Sequence, residues 1–113
     1  MIDYHKRIRN LLSNATTVPI YYESFSEKVG VPCVSYLEAN NASAAIGNTL
    51  SYSSIDYMIK IWAQNIEEIQ TIALSIDAAM LGAGFTRTSS YDTSDEGLLV
   101  KILRYQATAY EKN

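Results

Sequence analysis

The stretch "SIDYMIKIWAQNIEEIQTIALSIDAAMLGAGF", residues 54–85, changes period halfway along. Ile55, Tyr57, Ile59, Ile61 and Ala63 alternate with Asp56, Met58, Lys60 and Trp62. Period two is that of a strand with one face buried. After Asn65 the apolar positions become Ile66, Ile69, Ile72, Ala73, Ile76 and Met80, one stripe at helical spacing. Asn65 is a helix cap, Glu68 three places on completes a capping box, and Gly82 and Gly84 mark the stop. The stretch therefore predicts a strand running directly into a helix whose stripe packs on the strand's isoleucine face. Trp62, with Met58 and Lys60, then falls on the opposite face.

Upstream, Asp3 caps a first helix, with Tyr4, Ile8, Leu11 and Leu12 on one side and Lys6, Arg7 and Arg9 on the other. "VPIYY" (18–22) and "VPCVSYLEA" (31–39) read as short strands entered through prolines, the first at an edge or a strand start. Residues 40–51, "NNASAAIGNTLS", have neither period and read as a long mobile loop that orders in an assembly. Downstream, "FTRTSSY" (85–91) is a strand, "DTSDEG" a turn, and "LLVKILRYQATAY" (98–110) the last strand. The order is α-β-β-β-α-β-β, and the expectation is one α+β domain over residues 1–113: a two-layer sandwich with two helices on one face of a mostly antiparallel sheet. The strands at 52–63 and 98–110 reach about 40 Å, against about 24 Å for the helix, so the sheet should overhang the helices.

Composition bounds the function. Nine Lys and Arg stand against twelve Asp and Glu, a net charge of −3, which argues against general nucleic-acid affinity while leaving room for a local basic patch; no sequence-specific nucleic-acid partner is expected. The single Cys33 excludes an intrachain disulfide. The opening "MIDYHKRIRN" is charged and has no apolar signal stretch, and no apolar run is long enough to span a membrane. The expectation is a soluble intracellular domain.

No motif carries chemistry. The glycines of "MLGAGFTR" follow a helix, whereas phosphate loops precede one. His5 is the only histidine, so it offers no two-histidine metal site and reads as a solvated helix residue. Cys33 reads as a small apolar strand residue, and "YDTSDEG" lacks calcium-loop spacing. Catalytic, cofactor and metal residues are each expected to be none. What remains is surface: Glu67, Glu68 and Asp77 on the outer side of the second helix, and Lys60, Arg87, Lys101 and Arg104 contributed by strands. Acidic and basic sides on one domain suit head-to-tail contacts that close into rings. The candidate interface residues are Trp62, Lys60, Met58 and Arg104. A monomer is expected to leave Trp62 partly wet, so Trp62→Ala should cost about 1 kcal/mol or less in stability.

From about Val31 onward the pattern resembles the tail terminator, or tail completion, proteins of long-tailed phages and prophages. The resemblance lies in "VPCVSYLEA", in the strand ending "IWA", in the capped "NIEEIQTIALSIDAAM", in the glycine-bounded turn into "GF", and in the final "LRY" strand. It implies a non-enzymatic minor tail protein that forms a homohexameric ring on the tail tube and contacts the tube protein and the head-tail connector. It implies residence in the virion tail, and in host cytoplasm during assembly. Other connector or minor capsid proteins share the pattern. A ferredoxin-like domain binding a small ligand is the alternative from another class, and would need a pocket of convergent polar groups.

Overall fold

The computed structural model describes residues 3–22, 30–46, 50–95 and 97–112. Its elements follow the expected order: α1 (His5–Ala15), β1 (Ile20–Tyr22), β2 (Cys33–Ile46), β3 (Leu50–Ala63), α2 (Ile66–Gly82), β4 (Thr86–Asp95) and β5 (Leu98–Lys112). The five strands form one sheet in the order β1-β2-β3-β5-β4. β1 runs parallel to β2 and every other pairing is antiparallel. The result is the expected α+β architecture.

β3 is the central strand, and its alternation decides the layering. Ile55, Tyr57, Ile59, Ile61 and Ala63 are all fully buried in one core with Ile8 and Leu12 of α1 and Ile69, Ile72, Ile76 and Met80 of α2. Burying each of the isoleucine, leucine and methionine side chains among them contributes roughly 1.5–3 kcal/mol, which makes this face the main stabilising contact of the fold. The helix ends are set as the sequence implies. The Asn65 side chain accepts from the Glu68 amide at 2.9 Å. At the other end Gly84 takes φ +96°, while its amide bonds the Leu81 carbonyl and the Phe85 amide bonds the Met80 carbonyl. That pair of bonds is a Schellman stop, and only glycine adopts its positive φ without strain. α2 has no basic residue in its last turn. Arg7 of α1 supplies one from outside, donating to the Ala83 carbonyl at 2.9 Å and lying over the Tyr4 and Phe85 rings. A cation there complements the negative end of the helix dipole.

Several details differ from the sequence reading. Residues 40–46 continue β2 and residues 50–51 begin β3, so the expected loop is an extension of the sheet; residues 47–49 lie outside the described residues. The period was hidden there because Ala39 is a bulge, after which Asn40 pairs with Asp56 and the side chains change faces. β4 runs on through Asp95, past the expected turn, because its partners Leu98 to Lys101 keep the ladder going. α1 has Tyr4 at its cap position, and the Asp3 carboxylate instead accepts the His5 amide at 2.9 Å. Ile66, grouped above with the buried stripe, is 60% exposed. The molecule measures 52 × 25 × 22 Å, and the sheet overhangs the helices as strand and helix lengths require.

Urea unfolding of two variants separates cap from core. Asn65→Ala should cost about 1 kcal/mol, and Ile76→Ala about 2–5 kcal/mol because it leaves a cavity under the helix.

Candidate functional site

The sheet face away from the helices carries all four candidate residues. Trp62 lies between Cys33 and Val100, Lys60 between Ser35 and Ile102, and Met58 between Leu37 and Arg104. Directly paired residues share a face, so the register puts Trp62, Lys60, Met58 and Arg104 on three successive rungs. Lys60 and Arg104 are diagonal neighbours, and among the described residues neither enters an ion pair. Arg104 and the flanking Tyr91 are exposed, while Met58 and Lys60 are half-buried.

Trp62 is on the expected face but is not wet: it is only 6% exposed. Its ring forms a second, small cluster with Cys33, Val100 and Ile102, against which Val31, Met58 and Leu98 pack. Its indole N–H donates to the Ser35 hydroxyl at 3.4 Å. A ring on the central strand has neighbours on both sides, and these cover it without a helix. The expectation of a partly wet Trp62 is therefore overturned, and with it the ground for a mild Trp62→Ala effect.

The basic sheet side is also narrower than the sequence suggested. Lys101 pairs with Ile61 and Arg87 with Tyr105, so both belong to the helix face. Arg87 donates to Asp77 at 2.6 Å, and the Tyr105 hydroxyl donates to the other Asp77 oxygen at 2.8 Å. Lys101 lies 2.8 Å from Asp92. Asp77, placed above on the outer side of α2, thus works as a fastener between α2, β4 and β5. Burial is the largest cause of the raised Tyr105 pKa, followed by its bond to and the charge of Asp77, so the phenol stays neutral and donates.

His5 is not simply solvated. Its Nδ1 is 2.8 Å from Asp3 and 3.2 Å from the Tyr57 hydroxyl, and its Nε2 is 3.1 Å from the Tyr22 hydroxyl. Tyr57 is fully buried, and burial first, then nearby acids, raises its pKa. The network ties α1 to β1 and β3. Its partners lie 17 and 52 residues from His5, too far for sequence spacing to reveal. It brings together no activated nucleophile.

Among the described residues, no group of three or more His, Cys, Asp and Glu is placed to hold a metal, and no helix is long and apolar enough to cross a membrane. An open groove of about 550 Å³ runs between the end of α1 and the start of α2, lined by Thr16, Thr17, Glu67, Glu68, Thr71 and Ser75 among others. A surface missed in the sequence is the outer side of α2. Ile66, Leu74 and Leu81 are 60%, 70% and 47% exposed, with Gln70 and Ala78 exposed between them. The signal was legible as a second apolar stripe, but grouping Ile66 with the inner one concealed it.

With this geometry in place the chain can be compared with known proteins. No family model matches the sequence, and no curated protein sequence matches it. The fold does match a solved structure, a chain of the virion of a native gene transfer agent particle. The TM-score is 0.66 at 13% identity, over 90% of this chain and 92% of that one. At that identity the likeness is one of fold.

Two predictions come from the sheet face. Trp62→Ala should lower stability by about 3–5 kcal/mol, whereas Lys60→Ala and Arg104→Ala stay within about 0.5 kcal/mol, as chemical denaturation would show. Burial pushes the Cys33 thiol up from 9.0 to about 11. Over that window the unfolded chain loses its thiol proton first, so the native state holds more protons and stability falls as pH rises. Urea midpoints across pH 9–11 should decline less steeply in Cys33→Ala than in the wild type.

Proposed function

We propose that the chain is a non-enzymatic structural protein of a phage or prophage tail, a tail terminator that assembles into a hexameric ring at the end of the tail tube and helps join the head. The observation that carries this is the fold shared with a virion chain over nearly the full length of both. It agrees with the resemblance of residues 31–110 to terminator proteins. The sheet face bearing Lys60, Met58 and Arg104, beside the buried Trp62 on the next rung, is the proposed contact with a neighbouring subunit or the tube protein. An exposed, cation-bearing sheet face suits contacts that steer association and leave exchange possible. In this reading the protein acts in the host cytoplasm during assembly and remains in the virion tail. A head-tail connector or other minor tail role rests on the same likeness and differs only in the neighbour engaged.

The test is to incubate the purified protein with purified tail tubes and follow binding by sedimentation and ring formation by negative-stain microscopy. Rings capping tube ends, lost in Lys60→Glu/Arg104→Glu, are expected. A protein that stays monomeric beside intact tubes would refute the terminator role.

A further inference from the structure

α2 is apolar on two sides. One side is the core stripe; the other exposes Ile66, Leu74 and Leu81, with Gln70 and Ala78 between them. A second apolar stripe on a helix calls for a cover of its own, and among the described residues none covers this one. The spacing is nearly symmetric about Leu74. An antiparallel copy of the same helix, with its two-fold axis at Leu74, would set Leu74 against Leu74, Gln70 against Ala78, and Ile66 against Leu81.

The charges have the same symmetry. Glu67 and Glu68 stand at the start of α2, which contains no Lys or Arg. α1 runs antiparallel beside α2, pinned through Arg7 to the Ala83 carbonyl. Arg7, with Lys6 next to it in the chain, therefore stands at the far end of α2. In an antiparallel pairing, the acidic end of each copy meets the basic end of the other, twice over. A parallel pairing would instead set acids on acids and cations on cations.

We propose that the outer face of α2 is an isologous dimer contact, and that its occupant is a second copy of this chain. The contact is closed, because each stripe is used up by its partner. One helix pair falls at the small end of interface size, so the dimer is reversible and concentration-dependent. The sheet face stays free, and the proposal does not depend on the ring reading.

The experiment uses the full chain. Sedimentation of the wild type should show a monomer–dimer equilibrium with no larger species, and Leu74→Glu should weaken it tenfold or more with melting unchanged. Glu67→Lys/Glu68→Lys should weaken it too. Leu74→Cys should form a self-linked disulfide dimer under mild oxidation, since the native Cys33 is buried. Gln70→Cys should link to Ala78→Cys when the two variants are mixed, and far less to itself. A wild type monomeric at every attainable concentration would overturn the proposal. So would a Leu74→Glu protein that still dimerises, or a Leu74→Cys protein that does not self-link. Tube capping by a monomeric Leu74→Glu variant would leave the ring reading standing while the dimer result is decided separately.

Discussion

β3 is hydrogen-bonded along both edges and buried on one face, and that combination constrains every other element. Its partners β2 and β5 extend it sideways, so its isoleucine face becomes the floor on which both helices must pack. Because the side-chain period is two, a slip of one residue would expose five buried side chains and bury Asp56 and Lys60 beneath the helices. The register is thus held by burial as much as by hydrogen bonds.

Polar contacts then fix the elements that the core holds loosely. Asp77 joins α2 to Arg87 of β4 and to Tyr105 of β5, and Lys101 joins Asp92 across the outer ladder. His5 does the same at the other edge, linking the start of α1 to Tyr22 and Tyr57. These contacts pair charges at the margins of the helix layer. Of the strand cations named above, Arg87 and Lys101 face the helices, while Lys60 and Arg104 lie on the open sheet face.

The molecule accordingly offers two surfaces of different character. The sheet face is of mixed polarity, with Lys60 and Arg104 beside the Trp62 cluster. The helix face is a narrow apolar ridge with Glu67 and Glu68 at one end and Arg7 of α1 at the other. Among the described residues neither surface gathers a cluster of metal-ligating side chains.

Local pattern by itself determined the strand-to-helix unit, its cap at Asn65, its glycine stop and the face on which Trp62 lies. Each of these depends on residues a few positions apart. The same alternation could not show that Trp62 is dry, because its cover comes from Cys33 on one neighbouring strand and Val100 on the other. Nor could it show that residues 40–46 are strand, since the bulge at Ala39 breaks the period and pairing with Ser51 to Asp56 supplies the order. The faces of Arg87 and Lys101 depended on their register against β5 and β3, and the Asp77 and His5 networks on partners brought together only by the sheet. Tertiary structure decided these matters because burial and hydrogen bonding belong to pairs of distant segments, and a pattern along one segment carries no record of what lies beside it.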